Sequence, residues 1–200
     1  MTDYAAQYYI LRRADAVPYL APDGDSVDRS LSEAPQPPGS PPLVFSNAFK
    51  ERDRARRIKE VVPPVLFHGN DLVVNSSIRA ALLELGLADV HLHPAIYIDD
   101  LDKWHEDYWH ITFSRTFDCW DRNLSDVSEK FVESGGGERR YDVYEYVLDE
   151  ALLDKTPLKE RLLFQMGGTI DGFVFCHASI VQIFRRDAPS GAQLLLSAGY

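Results

Sequence analysis

Cysteine is scarce in this chain: Cys119 and Cys176 are the only two among 200 residues. That excludes a disulfide framework of the kind small secreted domains depend on, and two free thiols in a reducing cytosol is the simpler reading. Long apolar runs are missing as well. No segment approaches the roughly 20 apolar residues a spanning helix needs. In the opening MTDYAAQYYILRRADAV the arginines follow the apolar stretch, where an export signal would place them before it. Basic residues are outnumbered, with 21 lysines and arginines against 31 aspartates and glutamates and a formal net charge of −10. Such a surface repels phosphate backbones, which argues against a general nucleic-acid binder and favours basic partners. The sequence has no G-x-G-x-x-G fingerprint, Walker loop or G-x-S-x-G elbow, and Gly135-Gly136-Gly137 and Gly167-Gly168 are turn material.

What is present suits one soluble domain: 45% of the residues are apolar and 12% are aromatic, on a length that can bury a core. Gln7 to Arg12 (QYYILR) reads as a first strand. Pro18 to Pro42 is rich in proline, glycine and serine and is expected to be an irregular excursion within a single domain spanning 1–200. Lys50 to Glu60 (KERDRARRIKE) places dense charge on good helix formers and predicts a solvated helix, stopped by Pro63-Pro64. Leu72-Val73-Val74 predicts a strand, after which Asn75 or Ser76 can cap a helix carrying Ile78, Ala81, Leu82 and Leu85 on one face, with Gly86 at its end. Val90 to Ile98 (VHLHPAIYI) follows as an extended segment broken by Pro94.

A similar order returns near the end: Gly172 to Cys176 as strand, Ser179 to Arg186 as helix, Gln193 to Ser197 as strand. Val74-Asn75-Ser76-Ser77-Ile78 falls on Cys176-His177-Ala178-Ser179-Ile180, and Val90-His91-Leu92 on Ala192-Gln193-Leu194. An internal duplication and two independent strand–helix–strand passages explain this equally well. Between them, Tyr108–Phe113, Tyr141–Leu148 and Leu162–Met166 read as strands, and Ser134–Gly137 as a flexible connection. The pattern predicts an α+β domain: a mixed sheet with two β-α-β-like passages and helices packed on its faces.

Several groups could carry chemistry. His91 and His93 share one strand face and are followed by Asp99 and Asp100, so a metal site can be drawn, although alternating histidines without a third motif are ordinarily surface residues. His105 and His110, five apart, match neither helix nor strand spacing. Cys119 has histidines in its neighbourhood and Cys176 has His177 beside it, yet buried, unreactive thiols are the better expectation. Asp118 and Asp121 flank Trp120 and could act as acid and base only if burial separated their pKa values.

All three tryptophans fall within the stretch Asp99 to Ser125. Its front carries Asp99, Asp100, Asp102, Glu106 and Asp107 against Lys103 alone, which reads either as a solubilising acidic loop or as a patch that steers a basic protein and anchors it with Trp104, Tyr108 or Trp109. Trp120, framed by Phe117 and Cys119, is expected in the core.

The order of pieces resembles the immunity proteins of bacterial polymorphic-toxin systems, particularly the families numbered immunity eleven and immunity forty-three. The residues that carry it are Gln7-Tyr8-Tyr9-Ile10-Leu11, Val74-Asn75-Ser76 launching a helix, Tyr108-Trp109-His110-Ile111, Asp118-Cys119-Trp120-Asp121, Tyr146-Val147-Leu148-Asp149 before Leu162-Leu163-Phe164, and the closing strand, helix, Gly191 and strand. The resemblance implies a small cytoplasmic antidote that binds a cognate toxin and performs no reaction, without cofactor or metal. Its expected contact residues are Asp99, Asp100, Asp102, Trp104, Glu106, Asp107 and Trp109. The rival readings are a hydrolase or metal-dependent enzyme using His91, His93 and Cys119, and a general protein-binding adaptor.

Overall fold

In the computed structural model the opening Tyr-Tyr-Ile-Leu run forms β1 (Tyr8–Arg13), alternating between two hydrophobic clusters as a strand of period two must. The structure describes residues 4–15, 17–31, 34–58, 60–133, 137–185 and 189–199. Expectations touching residues 134–136 and Arg186 therefore lie outside the described residues.

The segment 18–42 is more ordered than its composition suggests. It supplies β2 (Leu20–Pro22) and a short helix, α1 (Ser26–Ser30), before β3 (Leu43–Asn47). Ser26 Oγ accepts from Val44 N at 2.9 Å, so a buried hydroxyl ties α1 to β3 where apolar packing is thin. The charge run forms α2 (Lys50–Ala55), which stops earlier than the prolines require. Ile58 N donates to Asp53 O and Arg57 N to Arg54 O, a Schellman ending with Arg57 at φ 56° in the position glycine usually takes.

A hairpin follows, β4 (Val65–His68) and β5 (Asp71–Asn75), turned by Gly69-Asn70 with Gly69 at φ 61°. Asn75 caps α3 (Ser76–Leu85) by accepting from Ile78 N at 3.1 Å, and Gly86 closes it at φ 59°. Ile78 and Leu82 are buried and Ala81 and Leu85 pack beside them. Next come β6 (Val90–Ile98) and β7 (Trp104–Phe113). Pro94 does not break β6, because β3 begins its pairing only at Ala95 and no ladder donor is required of the proline there.

The remaining elements are β8 (Asp126–Glu133), β9 (Arg139–Glu145), α4 (Glu150–Lys155), β10 (Leu163–Gln165), β11 (Val174–His177) and β12 (Ala192–Leu196). The helix expected from Ser179 is a 3₁₀ segment, Ala178–Phe184, in its described part. Asp149 caps α4 through Leu152 N, and among the described residues β8 pairs only with β9.

The chain is a single α+β domain built on two sheets besides the β8–β9 ribbon. One runs β2-β3-β6-β7-β5-β4, and a bridge between Tyr19 and Phe67 brings its two edges together into a near-barrel. The other runs β10-β11-β1-β12. Strands β4-β5-β7-β6 and β10-β11-β1-β12 have the same register: Val65, Val74, Trp109 and Pro94 stand in one row as Leu163, Cys176, Tyr9 and Leu196 do in the other. The sequence correspondence between 74–78 and 176–180 is thus continued through a whole four-strand ladder. The first strand of each half is exchanged, β1 completing the C-terminal ladder and β7 the N-terminal one. A parallel bridge flanks each ladder at a similar but not identical position, Tyr19 with Phe67 and Phe117 with Met166.

The two ladders face each other across one cluster that includes Leu11, Val65, Val74, Ile111, Leu163, Val174 and Cys176, with Ile78 and Ile180 from the two helical passages. Burying each such aliphatic side chain is worth about 1.5–3 kcal/mol. On their outer faces the ladders cover separate clusters. Leu20, Leu43, Phe45, Leu66, Val73 and Tyr97 fill the near-barrel, and Cys119, Trp120, Tyr146, Phe164 and Phe175 lie under the other sheet.

Candidate functional sites

The acidic, aromatic stretch becomes the tip of the β6–β7 hairpin, and much of its charge is spent on building that tip. Asp99 is buried; its Oδ1 accepts from Leu101 N and Lys103 N, both at 2.9 Å, and its Oδ2 lies 2.9 Å from His105 Nε2. Burial opposes its ionised form, but these hydrogen bonds and the nearby imidazole outweigh it and hold the carboxyl below its ordinary range. Asp100 donates its backbone N–H to Glu60 at 2.7 Å and approaches Asn47 Nδ2 at 3.4 Å. Asp102, at φ 61°, pairs with Lys50 at 2.7 Å. The basic helix α2 thus lies beside the acidic loop and offsets it, so Asp99 is unavailable for steering a partner and Asp100 and Asp102 already face local groups.

Trp109 is half-buried, its ring covered by the Arg79 guanidinium at 3.7 Å and its Nε1 donating to Ser76 Oγ at 3.1 Å. Trp120 is in the core as expected, donating to Gly167 O at 3.0 Å. Trp104 alone of the three tryptophans is open, at 55% exposure, beside Leu101 at 86%. Glu106 and Asp107 are exposed together because the pairing steps from Tyr97↔His105 to Ala95↔Tyr108, which inserts an extra residue in β7 there.

That bulge also reverses strand parity. His105 stacks on Tyr97 while Tyr108 meets the same ring edge-on, and His110 lies against Phe45. Histidines five apart therefore share the inner face of the near-barrel, contrary to the simple strand spacing.

A second group of residues, which the sequence reading did not single out, lies at the mouth of this barrel. His68 ends β4 and Asp71 begins β5, directly paired across the Gly69-Asn70 turn, and His110 stands on β7 next to them. One ligand atom from each of the three lies within 4.8 Å of the others. His110 is 1% exposed and, among the described residues, both its ring nitrogens lack hydrogen-bond partners, as does His68 Nδ1. Burial, reinforced by His68 and His93, pushes His110 down to about 3, and burial also lowers His68, so both imidazoles are neutral. Burial raises Asp71 to about 6.

Above them opens a cleft of about 860 Å³, with His68, Asp71 and Thr112 on its wall and the loop 166–172 opposite. Asn70 Nδ2 donates to Asp171 O at 2.7 Å and joins the two turns that flank the cleft. The signal available in the sequence was the Gly-Asn turn between VLFH and DLVVN, which sets His68 opposite Asp71. The third member depends on which strand lies beside β5, a non-local fact.

The earlier candidates disperse. His91 is exposed; His93 lies 2.9 Å from Pro41 O and 3.3 Å from Arg29 Nη2. Asp99 and Asp100 stand at the other end of β6, about 20 Å along the strand at its usual rise. Cys119 is enclosed in the cluster under the other sheet, 4.0 Å from Met166 Sδ, and burial together with Asp118 and Asp149 raises its thiol strongly. Asp118 pairs with Arg122 at 2.5 and 2.6 Å, and Asp121 accepts from Asn123 N and Leu124 N, so both carboxylates have structural partners. His177 caps the 3₁₀ segment rather than activating Cys176.

Among the described residues no helix is long and apolar enough to cross a membrane. No protein-family model matches the chain, and no curated protein sequence matches it either.

Proposed function

We propose that this protein acts by binding another protein, as an antidote that neutralises a bacterial toxin by direct contact, with the β6–β7 tip at the centre of the contact surface. The observation that supports this most is the exposure of Trp104 beside Leu101, adjoining the bulged acids Glu106 and Asp107. A rigid indole at an exposed position can fill a partner's pocket, and the acids orient a basic rim around it. Asp99, Asp100, Asp102 and Trp109 serve this reading indirectly, by fixing the hairpin that presents the ring.

The test starts from the genes that flank this chain's own: where one encodes a large multidomain toxin, its C-terminal domain is co-expressed with this chain, and where none does the antidote reading fails. Restored growth and a complex of the two purified proteins support the reading. In that complex Trp104→Ala should speed dissociation at least about tenfold, and Glu106→Lys with Asp107→Lys should slow association at low salt. Absence of protection, or full protection and unchanged kinetics in all these variants, overturns it.

A further inference from the structure

We infer that His68, Asp71 and His110 form a binding site for one divalent transition-metal ion of zinc's class, opening onto the cleft between the β4–β5 turn and the loop 166–172. The inference stands apart from the toxin-binding reading and uses none of its residues.

The first argument is the donor set. Two neutral imidazoles and one carboxylate are the ligands that zinc and its first-row neighbours take, whereas calcium and magnesium prefer all-oxygen sets and copper(I) prefers sulfur. Three protein donors leave a coordination position free, the arrangement of sites that exchange a ligand. His68 and Asp71 line the cleft and the buried His110 stands next to them on β7, so an ion held by the three lies at the edge of that opening. Zinc at about 2.0–2.2 Å from each donor would draw them to about 3.4 Å from one another, a modest closure for atoms that now all lie within 4.8 Å, with Asp71 Oδ2 and His110 Nε2 3.9 Å apart.

The second argument is the cost of the arrangement without an ion. A buried polar group lacking a hydrogen bond is destabilising, and here His68 Nδ1 and both nitrogens of His110 are in that state within one cluster. Asp71 Oδ2 approaches His110 Nε2 only to 3.9 Å. Gln165 Nε2 reaches Asp71 Oδ1 at 3.5 Å, too long to satisfy the carboxylate.

The third argument comes from the duplicated ladder. Continuing the rows, His110 corresponds to Ile10, His68 to Met166 and Asp71 to Phe173, the last two joined by a backbone bond from Met166 N to Phe173 O. Ile10, Met166 and Phe173 are all buried and apolar. Where packing is the only task, the same scaffold positions hold hydrocarbon. The polar set in the other half therefore has a separate role, and metal ligation fits all three members together.

The experiment is zinc titration of the full chain after chelator treatment, with cobalt(II) absorption as a reporter of ligand geometry. Wild type is expected to bind one ion, and to lose at least about 100-fold in affinity in Asp71→Asn and in His110→Ile. His91→Ala, on the exposed end of β6, should leave binding unchanged. Circular dichroism checks folding, and Asp71→Asn, being isosteric, keeps the test valid if His110→Ile does not fold. Absence of stoichiometric binding at micromolar zinc overturns the proposal, as does equal binding by wild type and Asp71→Asn. Failure here leaves the contact surface at Trp104 untouched, and failure of toxin binding leaves this site untouched.

Discussion

His110 on β7 and Ile10 on β1 occupy the same position in two ladders of identical register, one paired with Val73 and the other with Phe175. The fold therefore supplies its own control for what an apolar residue does at the place of His110. In metal-free protein His110→Ile is expected to raise stability by about 1–2 kcal/mol, because two unsatisfied nitrogens are removed and a side chain of comparable size replaces them. Urea unfolding in the presence of chelator measures this. A loss of stability would mean that the imidazole makes favourable contacts in the metal-free fold.

The β6–β7 tip depends on the ionised form of Asp99, whose carboxylate gathers Leu101 N, Lys103 N and His105. Its folded-state pKa lies below the ordinary value, so its stabilising contribution is complete above the unfolded pKa of about 4 and is lost as pH falls through the folded value. Asp99→Ala should cost about 1–3 kcal/mol at pH 7. The gap between variant and wild type should narrow steadily below about pH 4. A gap independent of pH would mean that the charge does not hold the turn.

Local signals in the sequence were easily read where one residue type enforces one geometry. Asn75 and Gly86 bound α3 because a side-chain acceptor is needed at its start and a left-handed residue at its end. The Gly69-Asn70 turn between β4 and β5 carries a signal of this kind too, but the reading of the sequence did not use it. What else escaped reading was non-local. The placement of β1 between β11 and β12, and of β7 between β5 and β6, is decided by which strands meet across the central cluster. It alone brings His110 to the pair His68 and Asp71. Likewise, the five-residue spacing of His105 and His110 looked uninformative because a single bulge in β7 changes the parity on which strand reasoning relies. The local charge of the acidic patch was not legible for a related reason: α2, far away in sequence, folds beside it and contributes Lys50.

Arg57 provides a test of local strain. It occupies the left-handed position of the Schellman ending of α2 at φ 56°, where a side chain with a Cβ costs about 1–2 kcal/mol relative to glycine. Arg57→Gly relieves this but adds freedom to the unfolded chain worth about 0.4–1 kcal/mol. The net expectation is a gain of about 0.5–1 kcal/mol in thermal or urea unfolding. A destabilised variant would show that the arginine contributes more through its side chain than its backbone gives up.

The two thiols allow the covalent alternative to be examined directly. Cys119 and Cys176 are both fully buried and free. Burial pushes Cys176 up to about 12, and raises Cys119 further with help from the carboxylates of Asp118 and Asp149. Nucleophilic attack requires thiolate, which at pH 7–8 is then a negligible fraction at either position. A small disulfide reagent should therefore find no rapidly reacting thiol in the native protein and two after denaturation. Native modification should proceed only at the rate of local opening, and so depend weakly on reagent concentration once the reagent is abundant. A fast, concentration-dependent reaction of Cys119 at neutral pH would instead make it an activated nucleophile and reopen the enzymatic reading.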